Sequence, residues 1–207
     1  MPEVICLHKN AQEALKKSIS VLNDGGIIVF PTDTVYGLAA KYDQLAAIQK
    51  IYQVKDRDQT KALAVLISSI EQVELISTGL SKNAEILADR FWPGALTIVV
   101  EKRLDLKTPL SQDNSIGIRI PNVNFVREVA KHVGPLATTS ANRSGYPNTI
   151  NINEVNDQIG ELVDLIIDGG DCNGKIPSTV VDCRREELVI LREGAISKQD
   201  LLSSFII

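Results

Sequence analysis

Short apolar runs and amphipathic stretches alternate along the chain, which predicts strands and helices in turn. Val4 to Leu7 reads as a strand, and Ala11 to Asp24 places Ala14, Leu15, Ile19 and Leu22 on one helical face before Gly25 and Gly26 stop it. Strand Ile27 to Phe30 follows at once. Leu45, Ile48, Ile51 and Tyr52 mark a second amphipathic helix, Ala62 to Ile67 a buried strand, and Ser81 to Phe91 a third helix that ends before Pro93 and Gly94. Further strands are expected at Leu96 to Glu101, Ile116 to Ile120, Leu136 to Thr139, Leu162 to Asp168, Thr179 to Asp182 and Leu188 to Leu191, with helices near Phe125 to Val133 and Glu154 to Ile159. Ser197 with Asp200 forms a capping box and Ile196 with Leu201 a hydrophobic staple, so a last helix starts near Ser197. The alternation predicts an α/β fold, a large twisted sheet flanked by helices with a ligand cavity at strand ends.

With 207 residues, 44% of them hydrophobic, and no low-complexity run or internal repeat, the chain is expected to form one domain over residues 1–207. No run of about eighteen apolar residues occurs, and MPEVICLHKN reads as a strand start rather than a signal peptide. A soluble, cytoplasmic protein without membrane contact is the expectation. Cys6, Cys172 and Cys183 share no ligand or redox spacing, so buried thiols are expected rather than a disulfide or a zinc site. A net charge of -4 argues against a surface-wide nucleic-acid coat and leaves room for a local basic pocket.

The stretch richest in chemistry is FPTDTVYGLAA, from Phe30 to Ala40. Thr32, Asp33, Thr34 and Tyr36 follow directly on a buried strand, Pro31 fixes the exit direction, and Gly37 lets the backbone turn or approach a ligand. A ligand site at the strand end competes here with a helix start capped by Thr or Asp. Lys55, Arg57 and Lys61 lie between a helix and a strand. Alternate residues of an extended loop point the same way, so Lys55 and Arg57 are placed to grip one polyanion, with a solvated charged loop as the competing reading. Arg119 ends the run IGIR before Pro121 and suits either a bidentate carboxylate clamp or a structural salt bridge. Thr138 to Gly145, TTSANRSG, reads either as a ligand-binding loop or as an Asx or Ser turn.

Some familiar engines are excluded. His8 and His132 are the only histidines, so neither a triad base nor a histidine metal cluster has a home, and no protein-built metal site is expected. Gly169 to Lys175, GGDCNGK, matches a phosphate-binding P-loop up to its lysine. It fails beyond that, because Ile176 stands where Ser or Thr should hold magnesium and Pro177 with STVVD replaces the required helix. A turn between strands is expected instead.

PTDTVYGL, the KxR of Lys55 and Arg57, FWPGALTIVV from Phe91, GIRIP from Gly117, TSANRSG from Thr139, PSTVVD from Pro177 and LREG from Leu191 stand in the order seen in the YrdC-like family. Over nearly its whole length the chain resembles the threonylcarbamoyl-AMP synthases of that family, in their short, single-domain form. The resemblance implies a nucleotidyltransferase that joins L-threonine, bicarbonate or CO2, and ATP into threonylcarbamoyl-adenylate and pyrophosphate. Partner proteins then transfer the threonylcarbamoyl group to tRNA. It further implies that Arg119 holds the threonine carboxylate while Thr34 and Ser178 help position threonine. Lys55, Arg57 and Lys61 would face the phosphates, with Lys55 and Arg57 as the catalytic pair. Ser115, Ser140, Asn142 and Arg192 would complete the ATP pocket, with Mg2+ riding on the phosphates. Such a reaction needs alignment and neutralised phosphate charge more than a protein nucleophile.

Three positions depart from the family pattern. Many members have proline where Ala62 stands and a histidine on the threonine side where Leu66 stands, and, because the segment after Gly145 reads YPNTI, the family's usual threonine after a Pro-x or Pro-x-Pro spacing falls at Thr149 or is lost to Ile150. Two rival readings are carried. One is a non-enzymatic module for tRNA or double-stranded RNA, against which the acidic net charge and the convergent hydroxyls and amides count. The other is a carbamoyl-adenylate-handling domain of hydrogenase maturation factors, usually found in longer chains.

Overall fold

Strand pairing dominates this chain: ten strands hydrogen-bond into one mixed sheet in the computed structural model, which describes residues 2–106, 109–172 and 174–205. In chain order the strands are β1 (Glu3–Cys6), β2 (Ile28–Phe30), β3 (Gly37–Lys41), β4 (Ala64–Leu66), β5 (Leu96–Glu101), β6 (Ser115–Arg119), β7 (Leu136–Ser140), β8 (Leu165–Asp168), β9 (Thr179–Asp182) and β10 (Val189–Arg192). Their order across the sheet is β1-β8-β2-β3-β7-β4-β6-β5-β9-β10. The helices are α1 (Ala11–Asn23), α2 (Leu45–Lys55), α3 (Lys82–Phe91), α4 (Asn124–Val133), α5 (Ile152–Gln158) and α6 (Lys198–Ser203). The last starts after Ser197, whose hydroxyl accepts from the Asp200 amide as the capping box requires.

The strand β3 is the main addition to the sequence expectation. After the TDT turn the chain runs back antiparallel to β2, pairing Phe30 with Gly37 and Ile28 with Ala39, and β3 then pairs with β7. A capped helix does not form there. Leu38, Ala39 and Ala40 are fully buried between two strands, and this pairing overrides the helix preference of alanine. Near Leu162 the strand begins later than expected, because Gly160–Leu162 closes a 3-10 turn before β8. A second 3-10 segment spans Ile70–Leu75.

The sheet has two faces, and they are covered unequally. One face presents Val65, Ile98, Val100, Ile116, Ile118, Ala137 and Val181 to a core completed by Ile48 and Ile51 of α2, Leu87 of α3 and Leu201 of α6. On the other face, Ala14 and Leu22 of α1 and Phe125, Val126 and Val129 of α4 pack on Ile28, Phe30, Ala39, Leu136, Leu165 and Ile167. That second core ends at Leu66. The residues of β6, β5 and β9 on the same face lie outside it and line a cavity instead. Among the described residues no helix is long and apolar enough to cross a membrane.

One packing flaw gives a test of the helix-covered half. Ser18 of α1 is fully buried, and its hydroxyl has no hydrogen-bond partner. A buried polar atom without a partner is unfavourable, and alanine is the better helix former. Ser18→Ala should therefore raise the unfolding free energy by about 0.5–2 kcal/mol in urea titrations. A loss of stability would show that the hydroxyl is satisfied in solution.

Candidate active site

Strand alternation builds the cavity floor. In β6 the apolar residues Ile116 and Ile118 face the core, so Ser115, Gly117 and Arg119 face the other way; in β5 the same rule turns Thr97 and Val99 toward the cavity. Register then aligns them: Leu66 lies beside Arg119, and Ala64, Gly117, Val99 and Asp182 form one row across four strands. The cavity holds about 400 Å³, within the range of small-molecule sites. Gly117 keeps the middle of the floor low. A Cβ there would lie 3.1 Å from the Thr97 methyl and 3.7 Å from a Val99 methyl.

At one end sits Arg119, 5% exposed. Its Nε donates to the Gly94 carbonyl at 2.8 Å, Nη1 to Thr34 Oγ1 at 3.1 Å and Nη2 to Asp33 Oδ1 at 2.6 Å. The structural salt bridge is thus formed. A guanidinium carries about five N–H groups, so one on each terminal nitrogen stays uncommitted, and the ion pair fixes the fork that presents them. Burial pushes the Arg119 pKa down, Asp33 pulls it back up, and nearby Arg192 adds to the lowering. The TDT turn supports this corner. Thr32 donates to the Val35 carbonyl at 2.6 Å and lies 2.9 Å from the Thr34 hydroxyl, so the two threonines lock each other.

Ser178 Oγ lies 2.8 Å from Thr97 Oγ1, and Arg192 donates to the Ser178 carbonyl through Nε at 3.1 Å and Nη2 at 2.8 Å. Gly194 makes this crossing feasible, since a Cβ there would meet the Pro177 carbonyl oxygen at 2.3 Å. Arg57 also lines the cavity. Its Nη2 donates to the Ala62 carbonyl at 3.0 Å, while its Nε is buried without a partner. Among the described residues neither Arg57 nor Arg192 forms an ion pair. Burial lowers the pKa of both, and Arg57 adds to the lowering at Arg192. Four guanidiniums therefore line the cavity, and of these Arg119 and Arg184 have carboxylate partners while Arg57 and Arg192 have none.

Lys55 stands differently from its expected place. It is the last residue of α2, followed by Asp56 in the left-handed region, so no extended loop aims it alongside Arg57. Its side chain is 1% exposed and its ammonium donates to the carbonyls of Ser140 and Asn142. Burial, and then Arg57, push its pKa down to about 7. Asn142 also turns inward. Its Nδ2 donates to the carbonyls of Arg143 and Tyr146 at 2.9 and 2.7 Å, and its Oδ1 accepts from Ser140 at 2.5 Å; the Ser144 N–H that an Asx turn would bring to Oδ1 goes to the Lys55 carbonyl instead. Lys61 is exposed and does not line the cavity, because its loop folds back through a Lys61 N–H to Asp58 carbonyl bond. Thr34, Arg57, Ser115, Arg119, Ser140, Ser178 and Arg192 do line it.

Several lining residues escaped the sequence reading. Thr97 is the lone polar residue in LTIVV, and Asp182 closes TVVD, so strand alternation carried a signal for both. Asp113 and Arg184 come from connections whose approach only the fold reveals. Arg184 bonds the Asp182 carboxylate at 2.7 Å, and Ser115 donates to Asp113 at 2.6 Å. Among the described residues no group of three potential metal ligands clusters, so the carboxylates present do not form a metal cage. The Gly169 to Lys175 stretch starts no helix before β9, and Tyr36 donates to the Gly170 carbonyl at 2.8 Å; Asn173 lies outside the described residues.

Comparison with known proteins follows the same outline. A family model, Sua5_yciO_yrdC, described as telomere recombination, matches residues 20–194. A Methanocaldococcus jannaschii protein, provisionally named threonylcarbamoyl-AMP synthase, is 35% identical over 193 residues, covering 93% of this chain and 90% of the relative. The Bacillus subtilis threonylcarbamoyl-AMP synthase is 32% identical, with 90% of this chain matched but 55% of the relative. The P. abyssi Sua5 crystal structure complexed with L-threonine superposes with a TM-score of 0.91 at 27% identity, covering 99% of this chain and 61% of that one.

The Arg119 corner yields a stability prediction. Its side chain and that of Asp33 are 6% and 17% exposed, so removing the carboxylate charge leaves a buried cation unpaired. Asp33→Asn should lower the unfolding free energy by about 2–4 kcal/mol, somewhat less than for a fully dry pair because Asp33 keeps some water access. A change below about 0.5 kcal/mol in denaturant titrations would mean that solvent already screens this pair.

Proposed function

This chain belongs to the Sua5/YciO/YrdC family, and we propose that within it the chain is an L-threonylcarbamoyladenylate synthase, a nucleotidyltransferase acting on L-threonine, bicarbonate or CO2, and ATP. The observation that carries this reading is the meeting, in one cavity, of the Asp33-anchored Arg119 fork with the two guanidiniums that lack carboxylate partners, Arg57 and Arg192. The Arg119 corner suits the threonine carboxylate, with Thr34 and Ser178 beside it for the amine or hydroxyl. Arg57 and Arg192 suit the phosphates, and Ser115 and Ser140 supply hydroxyls along the nucleotide.

The chemistry follows from this division. Threonine's amine, once carboxylated, offers a carbamate oxygen to the α-phosphorus of ATP; the new P–O bond forms as the bond to the β-phosphate oxygen breaks, and pyrophosphate leaves. No protein nucleophile is needed. The residues must hold two anions together despite their mutual repulsion, and guanidiniums fixed in a partly water-excluded cavity do that by charge and alignment. Magnesium enters as the ATP complex and supplies further charge neutralisation on the phosphates. The adenylate then passes to transfer proteins that modify tRNA, in the cytoplasm.

Incubation of the purified protein with L-threonine, bicarbonate, Mg2+ and α-labelled ATP should give threonylcarbamoyl-adenylate and an equal amount of pyrophosphate. Arg57→Ala should lower kcat/KM for ATP about 10- to 100-fold, as expected for loss of one charge-assisted contact of about 1.5–3 kcal/mol. No adenylate from folded wild-type protein would contradict the function. Unchanged ATP use by Arg57→Ala would remove Arg57 from the phosphate site.

A further inference from the structure

The interior cation Lys55 has a place in this fold that its position next to Arg57 in sequence conceals. We propose that Lys55 is a positioning residue, whose ammonium clamps the end of β7 and the following turn into the shape that turns Ser140 into the cavity, and which takes no phosphate itself.

An ammonium has about three N–H donors. At Lys55 three oxygens lie within reach: the Ser140 carbonyl, the Asn142 carbonyl and Asn142 Oδ1, the last at 3.4 Å. The donor set is thereby spent inside the protein. The Lys55 carbonyl also accepts from the Ser144 amide at 2.8 Å, so main chain and side chain of one residue hold the turn at two points. Asn142 carries the hold further, since its amide donates to the carbonyls of Arg143 and Tyr146 while its Oδ1 accepts from Ser140. Thr138, Thr139, Ser140 and Asn148 of this segment line the cavity, whereas Lys55 and Asn142 do not. Arg57, two residues on, keeps an unpartnered Nε and faces the cavity. The KxR pair thus divides its work between an internal clamp and an anion contact. Electrostatics agrees with placement on oxygens, because carbonyls at a strand end offset the desolvation of a buried cation whereas a second cation beside Arg57 does not.

The proposal rests on the nucleotide reading only where synthesis is measured, and two of its tests are independent of it. In wild-type protein, reductive methylation followed by peptide mass spectrometry should modify exposed Lys61 and leave Lys55 at under about a tenth of that extent, with or without ATP. Labelling of Lys55 to the extent of Lys61 in free protein, with protection on adding ATP, would overturn the clamp. In ligand-free Lys55→Met, amide exchange over residues 141–148 should quicken at least about tenfold while that of β8 stays unchanged; unchanged exchange in the turn also overturns it. In synthesis assays, Lys55→Met should raise KM for ATP and leave KM for threonine within about twofold. The double variant Lys55→Met with Ser140→Ala should lie within about threefold of Lys55→Met alone, because both act through one turn. Losses that multiply would show that Lys55 acts on the ligand separately. Should Lys55→Met fail to fold, the labelling of wild-type protein still decides.

Discussion

A sheet needs both faces buried or put to use, and here α1 and α4 cover only the β1-β8-β2-β3-β7 half of one of them. Everything at the candidate site depends on what the uncovered strands do with their exposed face. Because side chains alternate along a strand, β5, β6 and β9 can send Ile98, Ile118 and Val181 into the opposite core and still present Thr97, Arg119 and Val180 to the cavity. The core on one side thus holds the site on the other in register. A one-residue slip in β6 would bury Arg119 in the core and bring Ile118 to the cavity.

Electrostatics sets the second condition. Burying Arg57 and Arg192 without carboxylate partners near the Asp33-paired Arg119 is unfavourable for the empty protein, and desolvation lowers the pKa values of all three. An anionic ligand offsets that cost. The Asp33 to Arg119 pair does not cancel the site's charge; it fixes one guanidinium by spending some of its donors and leaves the rest uncommitted. This arrangement fits a reaction whose main obstacle is bringing two anions together. It fits RNA docking less well, since Arg57 and Arg119 turn into a cavity rather than onto an open face.

Much of this was legible in the sequence, for physical reasons that also mark the limits. The apolar periods located most elements from β1 to α6, polar residues at the ends of buried strands pointed to Thr34, Arg119 and Ser140, and the family resemblance pointed to Ser178. What failed was direction. The reading of Lys55 and Arg57 as a pair assumed an extended loop, but α2 runs through Lys55 and ends in a left-handed Asp56, which sends the two side chains to different environments. The strand β3 was missed because GLAAK has no strand period of its own and gains its conformation from pairing on both sides. Asp113 and Arg184 were invisible for a third reason: they enter the cavity from segments far apart in sequence. Leu66 lies at the border between the helix-covered core and the cavity, where an apolar side chain is accommodated.

If both substrates lie on the uncovered half of the sheet, Gly117, in the middle of the cavity floor, is where that placement can be tested. A side chain there would press on Thr97 and Val99 and rise into the cavity, and valine has a high strand preference. The measurement is threonylcarbamoyl-adenylate formation by Gly117→Val, alongside its thermal unfolding. The account predicts a cooperative transition with synthesis reduced about 100-fold or more, because the reacting groups are held apart. Synthesis within about threefold of wild type by the folded variant would place the reaction elsewhere and contradict the account.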